Sequence, residues 1–273
     1  MAAIARTQPD QRMPLPERAG HARMSRISAM LGLSLAVLMP REAQAQARQD
    51  TIPFVGCPAD GQTGYIAPPR GSPKVVALQG VPAEAIAYYQ GDAGPGAFAP
   101  RGWHCQVTYG SAGSTIVVTP DSVNLAQYPE LKVPGHAVEM ELRFAGTSGR
   151  FSVAAYASRL FPTVVPEFIE RVRSEGLVPD SELTGRRYAQ DSVRSLGRLV
   201  AEFVTPAGRR GLGTAGYLDP SPDVIRGVAA IAADPEEPDM SVLRVRLGVR
   251  LHLLEAAVLQ LNRECMQRRE GCR

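Results

Sequence analysis

The part of the sequence with the most chemical potential is a short stretch after a glycine- and proline-rich loop. It carries the chain's one tryptophan and one of its four histidines beside a cysteine, in Ala99-Pro100-Arg101-Gly102-Trp103-His104-Cys105. An arginine, an indole and an imidazole in this arrangement, with Tyr109 nearby, could form the wall of a ligand-binding cleft. Arg101, Trp103, His104 and Tyr109 are therefore candidate ligand-binding residues. The interpretation we favour is structural: Trp103 packs beside a disulfide, while Arg101 and His104 face water.

A second candidate is the glycine-rich segment between Thr205 and Gly216, which contains two adjacent arginines. Backbone amides at Gly211 and Gly213, helped by Arg209 and Arg210, could hold an anion as phosphate nests do. The segment lacks the spacing of a P-loop and the strand–helix context of a dinucleotide fingerprint. A mobile loop between two strands is the favoured interpretation, and an anion-binding loop or lid is the alternative.

Two serines in Gly110-Ser111-Ala112-Gly113-Ser114 invite comparison with a catalytic nucleophile. The G-x-S-x-G spacing is absent, and β-rich sequence continues at Thr115, so a hairpin turn is the better interpretation. A hydrolase remains the alternative function. Its members would be Ser111 or Ser114 with a histidine from the set His104, His136 and His252.

The four cysteines, Cys57, Cys105, Cys265 and Cys272, all lie in the part of the chain that we expect to be exported. An even number in an exported chain favours two disulfides. Three connectivities are possible, and we expect Cys57–Cys105 and Cys265–Cys272, with crossed pairing of the two ends as the alternative. No C-x-x-C motif is present, and His104 next to Cys105 is the one histidine near a cysteine, so no metal site is expected.

The first 45 residues have the features of a removable leader. Met24-Ser25-Arg26 precedes an apolar run from Ile27 to Met39, and a polar segment then ends at Ala43-Gln44-Ala45. This order is typical of a secretory signal peptide, with Met24 as the true start and Ala47 as an alternative cleavage point. The apolar run is shorter than the roughly 20 residues that cross a bilayer. We expect a soluble periplasmic protein with no membrane segment after cleavage.

Cleavage would also remove the excess of positive charge. The whole chain has a formal net charge of +3, but residues 46–273 contain 24 basic and 24 acidic residues. The composition therefore does not support binding to nucleic acid or to an anionic membrane surface. An exported protein has no access to cytoplasmic ATP, so ATP-driven chemistry is not expected. No other cofactor is predicted from the sequence.

Residues 46–273 are expected to form a single α+β domain with a mainly antiparallel sheet, flanking helices and disulfides. Within this domain, residues 51–135 could form a loosely separate N-terminal subdomain. Strands are predicted at Val75–Leu78, in a hairpin over 103–119, and in four later runs; 91–100 is predicted to be an irregular loop. The alternation in Val138–Phe144 places Glu139 and Glu141 on a solvated face. The later strand runs are Val138–Phe144, Leu196–Thr205, Val224–Ala232 and Ser241–Gly248. The predicted helices are Pro82–Tyr89, Phe151–Leu160, Pro166–Glu175 and a C-terminal helix that contains Leu251, Leu254, Val258 and Leu261.

Two stretches carry a resemblance, Phe54-Val55-Gly56-Cys57-Pro58-Ala59-Asp60-Gly61-Gln62 and the segment Ala99–Cys105. Together they look like a set of uncharacterised exported proteins of Gram-negative bacteria, over about residues 54–120. The resemblance implies export and supports the Cys57–Cys105 pairing. It carries over no activity and no catalytic residue.

The first functional hypothesis is a non-enzymatic envelope protein that binds a partner protein or a small ligand. It rests on the lack of a complete catalytic constellation beside an aromatic, arginine-bearing segment. The second is the hydrolase described above, acting on an envelope substrate. A third is an accessory protein for secretion or assembly. The broad apolar surface of the C-terminal helix makes that helix a candidate interface with a partner or with a second copy of the chain.

Overall fold

The computed structural model describes residues 49–122, 130 and 132–268, all within one compact unit that spans Gln46–Arg273. The fold is α+β, and its main element is an eight-stranded sheet in which every neighbouring pair is antiparallel except β7 and β3. In spatial order its strands are β10 (Ser192–Ser195), β11 (Val200–Thr205), β12 (Ile225–Ile231), β13 (Met240–Arg246), β9 (Ala137–Arg143), β8 (Gly113–Thr119), β7 (His104–Gly110) and β3 (Ala59–Gly61).

Two small sheets and three α-helices complete the described fold. A three-stranded sheet consists of β2 (Phe54–Gly56), β5 (Ile86–Gln90) and β6 (Gly96–Pro100), with β5 in the centre. A two-stranded sheet pairs β1 (Gln49–Ile52) with β4 (Lys74–Ala77). The helices are α1 (Arg150–Leu160), α2 (Pro166–Ser174) and α3 (His252–Met266).

The large sheet is covered on both faces. Because side chains alternate along a strand, Val138 and Met140 of β9 point into one apolar cluster, which also contains β5, β6 and the buried side of α3. Val242 of β13 points the opposite way, into a second cluster with α1 and α2. The two layers bury both faces of the central strands, which decides the environment of every charged residue on them.

Most of the predicted elements are present. The hairpin is β7 with β8, and α1, α2 and α3 occupy the predicted helical segments. Strands also form at Val75–Leu78 and in each of the four later runs. α2 begins with a proline, which is common in the first turn of a helix. Its first turn also contains a glutamate and its last turn two arginines, in agreement with the charge preferences of helix ends.

Two predictions before residue 101 are wrong. The predicted helix Pro82–Tyr89 is a single 3₁₀ turn, Ala83–Ala85, followed by strand β5, and the loop predicted over 91–100 ends in strand β6. All of β6 and all of β5 except Gln90 are buried. Apolar residues occupy both faces of β5 and β6, so these segments show no period-2 alternation of polar and apolar residues.

A side chain from α3 closes the free edge of β6. The Asn262 carboxamide accepts a hydrogen bond from the Phe98 backbone amide at 2.9 Å and donates one to the Phe98 carbonyl at 2.8 Å. Its amide nitrogen also donates to the Val258 carbonyl, so each polar atom of this fully buried side chain has a partner. The asparagine thus takes the place of a neighbouring strand and fixes α3 against the sheet.

Replacing Asn262 with alanine should therefore destabilise the fold by about 2–4 kcal/mol, because the amide and the carbonyl of Phe98 would be left buried without partners. The free energy of unfolding from denaturant titration measures this effect. Gln260→Ala on the same helix is the control, since it removes one side-chain bond to Glu264 and should cost no more than about 0.5 kcal/mol. Equal costs for the two variants would contradict the role assigned to Asn262.

The predicted disulfide Cys57–Cys105 is present, with an S–S distance of 2.07 Å and a Cα–Cα distance of 5.4 Å. It joins the residue that follows β2 to strand β7, and so links the three-stranded sheet to the eight-stranded sheet. Cys265 is disulfide-bonded. Its expected partner Cys272 lies outside the described residues, as do residues 1–45 with the predicted leader. Among the described helices, none has the length and apolar character that crossing a membrane requires.

Candidate functional site

A cluster of three charged side chains, all of them completely buried, lies in the middle of the large sheet. Arg244 Nη1 on β13 lies 2.6 Å from Glu139 Oε1 and 2.5 Å from Glu141 Oε2 on the neighbouring strand β9. The prediction of a solvated face for the two glutamates is wrong, because α1, α2 and the covering loops form a second layer over it. Each glutamate has a further donor: the Tyr217 backbone amide for Glu139 and the Arg143 guanidinium for Glu141.

The surroundings of the two glutamates shift their pKa values in opposite directions. Burial raises the pKa of Glu139, and its bonds to Arg244 and Tyr217 offset this only in part. Burial also acts to raise the pKa of Glu141, but Arg244 and Arg143 together outweigh it and leave that pKa lowered. Glu141 is therefore the ionised partner of Arg244, and Glu139 is the glutamate that takes up a proton more readily.

The two neutral variants Glu139→Gln and Glu141→Gln should consequently respond to pH in opposite ways. A lowered pKa stabilises the fold above about pH 4.5, the ordinary glutamate value, and that stabilisation is lost on acidification. The cost of Glu141→Gln should thus be large at neutral pH and should shrink as the pH falls. A raised pKa means that wild-type stability falls as Glu139 ionises, so the cost of Glu139→Gln should shrink as the pH rises.

Denaturant titrations of both variants and the wild type between about pH 2 and pH 8 measure these trends, because the contribution of a lowered glutamate pKa is lost only below about pH 4.5. Parallel pH dependence for the two variants would contradict the assignment of the charge to Glu141.

This buried cluster is structural and not a catalytic pair. A glycosidase needs two carboxyl groups on either side of a cleft that admits a sugar and a water molecule. Glu139 and Glu141 instead bind the same guanidinium nitrogen, and both are inaccessible to solvent. Arg244 Nε also donates to the Leu212 carbonyl at 2.7 Å. The cluster therefore anchors the glycine-rich loop to the sheet.

The backbone amides of the predicted anion loop have acceptors within the protein. The amide of Leu212 donates to Asp191 Oδ2 at 2.9 Å, and that of Gly213 donates to Thr205 Oγ1 at 2.8 Å. The Gly211 amide donates to Thr214 Oγ1 at 2.9 Å. A carboxylate of the chain itself thus lies where the sequence placed an external anion. Of the predicted residues, Arg209 and Arg210 remain exposed to solvent.

The residues of the predicted ligand wall are divided between the two faces of the sheet. Tyr109 and Cys105 share one face of β7, and the alternation of the strand places His104 on the other, where it is exposed. The Tyr109 hydroxyl donates to the Gly64 carbonyl at 2.6 Å. Trp103 packs in part against the core cluster that contains Cys57, and Arg101 is exposed. Strand alternation therefore separates His104 from Tyr109 across the sheet.

The serines and histidines of the hydrolase alternative lie apart. Ser111 is exposed at the hairpin turn, whereas Ser114 is buried on β8 and its hydroxyl has no hydrogen-bond partner among the described residues. His252 is exposed, and its ring Nδ1 lies 3.2 Å from the Val249 carbonyl. Over residues 49–122, 130 and 132–268, no hydrogen bond joins a histidine ring to a serine, a cysteine or a carboxylate.

A groove of about 310 Å³ lies beside the three-stranded sheet. Its volume falls at the lower end of the range for small-molecule sites. Three segments of the chain line it: Phe54 of β2, the proline-rich segment 69–74, and residues 90–92 at the end of β5. We call it the Arg70 groove, and its lining residues are Phe54, Pro69, Arg70, Gly71, Ser72, Pro73, Lys74, Gln90, Gly91 and Asp92.

Two glycines allow the proline-rich segment to lie along β2 and form this groove. A Cβ on Gly71 would stand 2.5 Å from the Phe54 ring, and a Cβ on Gly56 would stand 2.1 Å from the Pro69 carbonyl oxygen. Any larger residue at either position would push the segment away from the strand. Close packing of glycine against a ring and a backbone oxygen thus gives the groove its wall.

Comparisons of the chain with protein-family models, with curated proteins and with solved structures find no match. Inferences about function therefore rest on the residues of the protein itself.

The charges of the Arg70 groove are its most distinctive property. Arg70, Lys74 and Asp92 have no ion-pair partner in the described part of the chain, whereas Arg150, for example, forms a pair with Glu175 at 2.8 Å. None of the candidate residues predicted from the sequence lies in this groove. The one usable signal was Lys74, since the chain contains only two lysines.

Proposed function

We propose that the protein is an exported, non-enzymatic binding protein of the cell envelope that holds a small ligand in the Arg70 groove. The observation that carries this proposal is the combination of an apolar wall, at Phe54, with unpaired charged side chains in one concave surface. Sites of this composition bind small molecules by excluding water from the apolar part and fixing orientation through a few polar groups.

Three further features support export. The predicted signal peptide at residues 1–45, the Cys57–Cys105 disulfide and the resemblance of residues 54–120 to exported Gram-negative proteins agree with a periplasmic location. The separation of Ser111 and Ser114 from the histidine rings favours binding over hydrolysis.

A blocking variant tests the binding function. The protein is screened by ligand-observed NMR against a library of small polar and aromatic compounds, with and without a bulky residue in the groove. Ser72→Trp places an indole at an exposed position of the groove wall, and Ser111→Trp at the exposed hairpin turn is the matched control. We expect compounds that bind the wild type and Ser111→Trp equally and fail to bind Ser72→Trp.

Two results would overturn the proposal. One is a set of bound compounds whose affinity is the same in both tryptophan variants. The other is covalent labelling of a serine by a fluorophosphonate probe, which would favour the hydrolase. For the location, N-terminal sequencing of the protein recovered from a periplasmic extract should begin just after Ala45 or Ala47, and an intact N-terminus in the cytoplasmic fraction would contradict export.

A further inference from the structure

The Arg70 groove contains charges of both signs that do not neutralise one another. Arg70 and Lys74 lie on the proline-rich side, and Asp92 lies on the loop after β5. No ion pair joins Asp92 to either cation, although all three line the same groove. Exposed opposite charges that stay apart leave room for a ligand that carries both complementary charges.

The cationic side is partly preorganised. Lys74 Nζ lies 4.7 Å from the centre of the Tyr88 ring, a cation–π contact that holds the ammonium group in place. Burial raises the pKa of Tyr88 to about 12, so that this ring is a neutral phenol at physiological pH. The Lys74 ammonium therefore keeps its capacity to bind an anion, because no carboxylate of the described residues neutralises it.

The wall next to Lys74 adds donors and an apolar surface. The backbone amides of Arg70, Gly71 and Ser72 make no hydrogen bond to another described residue, so they can donate to a carboxylate. Phe54 and Pro69 give the same wall a flat apolar part, and the Phe54 ring is packed on Gly71. An anionic group and an apolar group can thus be bound side by side.

The volume of the groove gives a scale for the size of the ligand. At about 30 Å³ for each water molecule in the liquid, 310 Å³ corresponds to roughly ten waters. A ligand of about ten to twelve non-hydrogen atoms fills such a space. This is the size of a single amino acid with a large side chain.

We propose that the Arg70 groove binds a small zwitterion of the α-amino-acid class, with its carboxylate toward Arg70 and Lys74, its ammonium group toward Asp92, and its side chain against Phe54. This inference rests on the proposed binding function and names the class of ligand for the same site.

Isothermal titration calorimetry with three probes tests the proposal. L-Phenylalanine carries both charges, 3-phenylpropionate lacks the ammonium group, and 2-phenylethylamine lacks the carboxylate. The wild type should bind L-phenylalanine at least tenfold more tightly than either singly charged probe, because only the zwitterion satisfies both sides of the groove.

Asp92→Asn should reduce this preference over 3-phenylpropionate to less than about threefold. Lys74→Met should weaken both carboxylate-bearing probes. Arg101→Ala, an exposed arginine outside the groove, should change none of the affinities.

The outcomes separate this proposal from the binding function. If 3-phenylpropionate binds the wild type as tightly as L-phenylalanine, and Asp92→Asn changes neither, the zwitterion proposal is wrong while an anion-binding groove stands. If none of the three probes binds, the zwitterion proposal is wrong, and the comparison of Ser72→Trp with Ser111→Trp decides separately whether the groove binds another class of ligand. Circular dichroism of each variant confirms that it is folded.

Discussion

Arg244→Met is expected to lower the free energy of unfolding by about 3–5 kcal/mol at neutral pH, because it leaves Glu139 and Glu141 buried without their shared cation. Methionine keeps most of the length of the side chain, so the loss is mainly electrostatic. The measurement is a denaturant titration in which the midpoint shifts and the slope stays constant. Arg194→Met is the matched control: it breaks an exposed pair with Glu202 and should cost no more than about 1 kcal/mol.

Two additional observations would show whether the stability lost in Arg244→Met is due to the lost charge or to altered packing. The cost of Arg244→Met should decrease on acidification, since the two glutamates can then be buried as neutral acids. Adding Glu139→Gln and Glu141→Gln to the variant should restore a large part of the lost stability, because no unpaired carboxylate then remains in the interior. A cost of less than about 1 kcal/mol for Arg244→Met would show that the three side chains are not paired in the interior.

Removing the disulfide with Cys57→Ala and Cys105→Ala together should cost about 4 kcal/mol. The bond closes a loop with a sequence separation of 48, and the chain-entropy relation gives this value for a loop of that length. The disulfide also holds the end of β2 against the large sheet, and Gln90 and Gly91 of the groove lie next to that connection. We therefore expect weaker binding to the Arg70 groove in this variant, in addition to the lower free energy of unfolding.

The two single variants provide the control for the disulfide. Cys57→Ala and Cys105→Ala each break the same bond, so each should cost nearly as much as the double variant, and the two effects should not add. Additive costs in the denaturant titration would show that packing of the two sulfur atoms, and not the cross-link, stabilises the fold.

The sequence was most informative about turns and about helices with one solvated face. It predicted α2, in which Phe168, Ile169 and Val172 are buried while Glu170 and Arg171 are exposed, and the turn residues between β7 and β8 predicted their hairpin. The same logic failed for β5 and β6, because apolar residues occupy both of their faces and leave no alternation to detect. For Glu139 and Glu141, the alternation correctly predicted that both lie on one face of β9. The predicted exposure of that face to solvent was wrong, because a second layer covers it.

The candidate site was beyond sequence reasoning for a related reason. The four residues chosen as a ligand wall are neighbours in the chain, but strand alternation separates His104 from Tyr109. The residues that do share a concave surface, Phe54, Arg70 and Asp92, come from three distant segments. Local chemistry can be seen in a sequence, but convergence in space depends on how the sheets pack.

The α+β class and the positions of most strands and helices followed from the sequence by itself, since they depend on local periodicity, and the sequence favoured the Cys57–Cys105 pairing among three possible connectivities. Only the tertiary structure decided which charged residues are buried, which loop amides are already bonded, and where a groove opens. These properties depend on the second layer over each face of the sheet, and the pattern of a single strand contains no information about that layer.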